Sequence, residues 1–128
     1  MGISKNIKFY LYFYSLILNH QVLDRFRDGL EKILVTTNVM ARGIDVEQVT
    51  IVVNYDMPTE KDETTADCET YLHRIGRTGR FGKHGLAINL IDSEKSLNIL
   101  NEIERHFQKP IIKLDAQDMD AIEKIQKD

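Results

Sequence analysis

The sequence predicts an α/β domain built on a mostly parallel sheet, and three observations predict it. Residues 33–36, 49–54 and 85–91 are short apolar runs rich in β-branched and aliphatic side chains. Continuous runs of this kind suit strands covered on both faces, as in a parallel sheet. Between and beyond them apolar residues recur at helical spacing, first as Val22, Leu23, Phe26 and Leu30, then as Leu97, Leu100, Ile103 and Phe107. At 128 residues the chain is one domain, large enough to bury a core.

Each element has a local reason. Residues 7–14 are dominated by aromatic and β-branched side chains and are predicted as a strand. The surrounding apolar stretch contains Lys8 and is too short for a membrane span, and no small-residue cleavage pattern follows it. The helix through Val22 and Leu30 is stopped by Gly29. Residues 41–45 form a loop at the carboxyl end of the 33–36 strand, where open α/β sheets bind ligands; an ordinary turn would explain Gly43 but give Arg42 and Asp45 no particular purpose. Residues 59–68 are predicted as an exposed loop, and their acids Glu60, Asp62, Glu63 and Asp67 read as solvating charges because no ligand spacing accompanies them. No metal site is expected. Ser93 is a helix N-cap ahead of the Leu97–Phe107 stripe, and Pro110 prevents that helix from continuing. A short edge strand is expected over 111–114, followed by a last helix carrying Met119, Ile122 and Ile125. His20, His84 and His106 are expected at the surface, and the single cysteine, Cys68, excludes an intrachain disulfide.

The chemistry concentrates at residues 73–84, where four cationic side chains and three glycines share twelve residues with no acid. If residues 71–78 are helical, Arg74, Arg77 and the helix-end Arg80 project to one side. Guanidinium groups grip phosphate oxygens in forked geometry and stay charged at any working pH. The same charges also fit a solvated basic helix end, since cations favour a helix C-terminus. The whole chain carries −3, so what lies outside this segment is more acidic still. This balance disfavours a non-specific polyanion binder; nucleic-acid contact must come from a local patch.

His73-Arg74-Ile75-Gly76-Arg77-Thr78-Gly79-Arg80 resembles motif VI of the DEAD-box RNA helicases, and Thr37-Asn38-Val39-Met40-Ala41-Arg42-Gly43-Ile44-Asp45 resembles their motif V. The two stand in the right order and are separated by a strand-like segment. Tyr55-Asp56-Met57-Pro58, the polar insertion 59–68 and then Glu69-Thr70-Tyr71-Leu72 look like the subfamily that works in mRNA export at the nuclear pore; most DEAD-box proteins have a shorter connection there. The resemblance runs from about Asp24 to the C-terminus. Upstream it fails: two family strands and their motifs are not visible in residues 1–21, and Leu18 stands where a glutamine-led motif would open the first helix. This implies N-terminal truncation or an opening segment foreign to the ancestral fold, with 1–21 an atypical segment and 22–128 a partial helicase domain.

The resemblance implies a three-layer α/β sandwich, the second RecA-like domain of an ATP-dependent RNA helicase, incomplete at its N-terminal side. It implies that Arg77 and Arg80 are arginine fingers in catalysis, that Gly43, Asp45, Arg77 and Arg80 bind nucleotide, with Asp45 on the ribose, and that Thr37, Arg42 and Gly43 meet RNA backbone. His73 and Arg74 position motif VI and bridge to the partner domain. ATP would sit between this domain and a first RecA-like domain that supplies the phosphate loop and holds Mg2+; no G-x-x-x-x-G-K-[ST] sequence occurs here, so the isolated chain is expected to be inactive. Expected partners are RNA, the first RecA-like domain, an inositol-hexakisphosphate-dependent export activator and nuclear-pore proteins, with a cytoplasmic or nuclear location, at the pore, and no membrane insertion. The alternative is a non-catalytic fragment that binds RNA or a partner without turning over ATP.

Overall fold

The computed structural model describes residues 16–38, 46, 49–79, 84–115, 117, 120 and 124. The chain divides into two compact units, Met1–Gln48 and Val49–Asp128. In the first unit helix α1 spans Leu16–Arg27, starting earlier than the apolar spacing predicts. Its end follows the sequence. Gly29 takes φ 72°, its amide donates to the Phe26 carbonyl at 3.1 Å, and the Leu30 amide donates to the Arg25 carbonyl at 2.9 Å. These paired bonds satisfy two orphan carbonyls and need a residue tolerant of left-handed backbone. Arg25 then reaches past the stop to Glu31, with Nε at 3.0 Å and Nη2 at 2.8 Å from one carboxylate oxygen.

The strand expected over 33–36 is not formed. Its residues make no ladder bonds among the described residues, and Ile33 and Val35 are 63% and 59% exposed. An apolar β-branched run supplies propensity, but a strand exists only by pairing its backbone with a neighbour. The expected strand at 7–14 lies outside the described residues.

In the second unit strand β1, Ile51–Asn54, pairs in parallel with β2, Leu86–Asn89, in register from Ile51↔Leu86 to Asn54↔Asn89. Both are shorter than their apolar runs, and the sheet has two strands among the described residues rather than three or four. Helix α2, Cys68–Ile75, connects the strands and helix α3, Glu94–Phe107, follows. Parallel strands require such a crossover, and the helix supplies it.

The core of this unit lies between the two helices and the chain leading into α2. Ile99 and Ile103, each 1% exposed, meet Tyr71 and Ala66, and Met57, Cys68, Ile75, Phe107 and Ile111 pack around them half-buried. The Tyr71 and Phe107 rings stand 6.2 Å apart. The buried face of α3 is thus rotated from the predicted stripe: Ile99 and Ile103, four residues apart, face inward, while Leu97 is 45% exposed. Ser93 caps this helix as predicted, accepting from the Ser96 amide at 3.1 Å, and Ser96 returns the bond by accepting from the Ser93 amide at 3.1 Å. At the other end Gln108 adopts left-handed backbone, so the helix stops before Pro110 can act. Residues 111–114 form no strand; instead the Ile111 amide donates to the Glu104 carboxylate at 2.8 Å. The last helix expected falls largely outside the described residues.

The polar insertion is built rather than loose. A bridge pairs Thr59 with Ala66, and the Glu60 amide donates to the Thr65 carbonyl at 2.9 Å. Asp62 closes the turn by accepting from the amides of Thr64 and Thr65, both at 2.9 Å, and from the Thr65 hydroxyl. Ala66 is 8% exposed and belongs to the core, its amide donating to Glu102 at 2.9 Å. The insertion therefore contributes a core residue, and two of its acids are backbone acceptors rather than solvating charges.

Candidate functional site

Asp67, near the end of the insertion, is the N-cap of α2. Its carboxylate accepts from the Thr70 amide at 2.8 Å and the Thr70 hydroxyl at 2.6 Å. The helix ends at Ile75, three residues earlier than predicted, and Gly76 caps it. The arginine segment therefore straddles the helix end, Arg74 in its last turn and Arg77 beyond it.

The two arginines do not form one even row. Arg74 is half-buried and donates from Nη1 to the Asn54 side-chain oxygen at 3.2 Å and to the Asp56 carbonyl at 2.7 Å. Burial pulls its pKa down from the ordinary arginine value, and the charges of Asp56 and Asp67 oppose that pull. Arg77 turns back, its Nε donating to the His73 carbonyl at 3.2 Å. His73 is exposed.

The segment is tied to the sheet at a second point. The Thr78 hydroxyl donates to the Thr50 carbonyl at 2.8 Å, and the Leu86 amide donates to the same carbonyl at 3.0 Å. One acceptor thus joins the arginine turn, the start of β1 and the start of β2. Gly85 makes the approach possible, since a Cβ there would collide with the Thr78 hydroxyl and the Gly79 backbone.

Asn54 and Asn89 end the two strands side by side, and sequence reading missed them. Asn54 is 2% exposed and donates from Nδ2 to Asn89 Oδ1 at 2.8 Å, and Asn89 Nδ2 lies 3.2 Å from the Tyr71 hydroxyl. Their signal was available: each is an asparagine set in a largely apolar strand run, Asn54 at the end of 49–54 and Asn89 within 85–91.

Of the other residues expected to act, Thr37 is exposed in the first unit, with its carbonyl accepting from the Thr36 hydroxyl at 3.2 Å. Arg42, Gly43, Asp45 and Arg80 lie outside the described residues. Cations without acids suit phosphate oxygens, whereas among the described residues no group of three His, Cys, Asp or Glu could hold a metal ion. No helix among the described residues is long and apolar enough to cross a membrane.

Comparison with known proteins adds four findings. Residues 15–82 match the family described as the helicase conserved C-terminal domain. The chain is 65% identical over 104 residues to human ATP-dependent RNA helicase DDX19A, covering 81% of this chain and 22% of that protein. It superposes on S. cerevisiae Dbp5 bound to RNA and ADP BeF3 with a TM-score of 0.82 at 45% identity, covering 89% of this chain and 29% of the other. A Dbp5 variant bound to Nup159, a Gle1 variant, IP6 and ADP aligns with a TM-score of 0.76 at 41% identity, over 89% of this chain and 29% of that one.

Proposed function

Because this chain belongs to the helicase conserved C-terminal domain family, we propose that it supplies motifs V and VI to the composite ATP and RNA site of a DEAD-box RNA helicase of the mRNA-export type. The observation that carries the reading is the double anchoring of the arginine segment, by Arg74 to the end of β1 and by Thr78 to its start. A ligand-gripping segment needs such a fixed base.

In this reading Arg77 and Arg80 stabilise the negative charge that develops on the transferred phosphoryl group, a contribution of about 10³-fold or more for one arginine finger. Asp45 accepts from the ribose hydroxyls, and Gly43 lets the backbone approach the nucleotide. Thr37, Arg42 and Gly43 take the RNA backbone through contacts that carry no sequence information. His73 and Arg74 hold motif VI against the partner domain. ATP supplies the phosphoryl group; Mg2+ belongs to the first RecA-like domain, because the cation-rich donor set here does not fit a divalent ion.

The likeness to DDX19A and to Dbp5 bound to RNA supports RNA as substrate. The likeness to Dbp5 bound to Nup159, Gle1 and IP6 supports an inositol-hexakisphosphate-dependent activator, a nuclear-pore partner and a location at the pore. The decisive experiment mixes the chain with a separately expressed first RecA-like domain and RNA, then measures phosphate release from ATP. Release that requires both parts and is abolished by Arg80→Ala supports the composite motor. No release at any concentration leaves a non-catalytic binding module.

A further inference from the structure

Arginine donates hydrogen bonds and accepts none, and this fixes the orientation of every group behind Arg74. Asn54 must present its oxygen to the guanidinium at 3.2 Å, which leaves its amide nitrogen for Asn89 at 2.8 Å. Asn89 must then present its own oxygen to Asn54, which turns its nitrogen to the Tyr71 hydroxyl, 3.2 Å away. The result is a one-way donor chain from Arg74 through Asn54 and Asn89 to Tyr71. It crosses both strand ends and returns to the helix that carries Arg74. Tyr71 is 5% exposed and its ring packs on Phe107, so the far end is held by the core. Aligned bonds in a buried site strengthen one another, and a break at any link leaves an orphan donor or acceptor.

We propose that Asn54, Asn89 and Tyr71 are positioning residues for Arg74, a relay that sets where the motif VI segment stands relative to the sheet. Its effect on turnover rests on the function proposed above; its effect on Arg74 does not. Two substitutions separate the relay from generic packing. Tyr71→Phe removes only the terminal hydroxyl, three links from Arg74. Asn54→Asp keeps an acceptor for Arg74, and the Asn89 amide can flip to donate to the new carboxylate while its oxygen accepts from Tyr71.

The test records nitrogen-detected NMR spectra of the guanidinium groups in the full chain, with circular dichroism to verify folding. Tyr71→Phe should shift the Arg74 signal. Asn54→Leu or Asn89→Leu should collapse its hindered rotation, and Asn54→Asp should retain it. An Arg74 signal unmoved by Tyr71→Phe and by Asn89→Leu in folded protein overturns the relay. In the composite ATPase assay Asn89→Leu should lower kcat by on the order of tenfold to a hundredfold, as for a small misplacement of a catalytic part, with the KM for ATP unchanged. Unchanged kcat, alongside active wild-type protein, overturns the positioning role. If the wild-type mixture has no turnover, the composite motor fails and the spectra decide the relay alone.

Discussion

Arg77 and Arg74 are three residues apart, yet their surroundings assign them different work. Arg74 is sunk against Asn54 and Asp56, whereas Arg77 lies beyond the helix end and turns its Nε back to the His73 carbonyl. In the composite assay Arg77→Ala should lower kcat by about 10³-fold, the value of an arginine finger. A modest loss of turnover in folded protein would reverse the assignment. Cys68 gives a second residue-scale expectation. Burial raises its thiol pKa above the usual 9.0, and the nearby charges of Glu102, Asp67 and Glu60 raise it further. The folded state thus favours the neutral thiol, so stability is unaffected below the unfolded value and declines as pH rises through it. Alkylation at pH 8 should be slower in the folded chain than in urea; equal rates would contradict the burial.

At the scale of elements, the insertion and α3 show how polar residues set a fold. Asp67→Ala removes the cap of α2 and should cost about 1 kcal/mol, read as a shift of the urea midpoint. Asp62 is held well below the ordinary carboxylate range, first by the Thr65 hydroxyl and then by the amides of Thr64 and Thr65. A depressed folded pKa means that its contribution is complete above the unfolded value and is lost as pH falls below it. The protection of the Thr64 and Thr65 amides relative to their intrinsic exchange rates should therefore fall in strong acid, and Asp62→Ala should show that loss of protection already at neutral pH. Much of this was legible: Gly29, Ser93 and the parallel runs were readable because each acts through its own backbone or its nearest neighbours. The strand at 33–36 was misjudged because pairing is a tertiary event, and the buried face of α3 because Leu97 and Ile99 are equally apolar and only packing chooses between them. The acids of the insertion looked like solvation because the sequence does not say which carboxylate folds back on an amide. The motif segment was legible as chemistry, but its anchors Asn54 and Asn89 lie in other elements, and only the register of β1 with β2 brings them together.

For the whole molecule, the balance of charge decides what can be learned from partners. The chain carries −3 overall while residues 73–84 hold four cations and no acid, so the rest of the sequence is more acidic than the whole. Residues 1–128 alone should hydrolyse ATP no faster than background, because no G-x-x-x-x-G-K-[ST] phosphate loop occurs among them. The acidic remainder matters for association with the inositol-hexakisphosphate-dependent activator proposed above, where complementary charge speeds encounter more than it tightens the complex. Not every acid is available for that role. Asp62, Asp67, Glu102 and Glu104 satisfy backbone amides, so neutralising them would perturb the fold and confuse the result. Glu69 and Glu94 are exposed, and neither is spent on such a bond among those described. The double substitution Glu69→Gln with Glu94→Gln should therefore lower the association rate severalfold at low salt and converge on wild type as salt rises through the screening range of about 0.1 M. Dissociation should change little. Stopped-flow association at two salt concentrations measures this directly, and equal rates for both proteins at low salt would remove Glu69 and Glu94 from the activator interface.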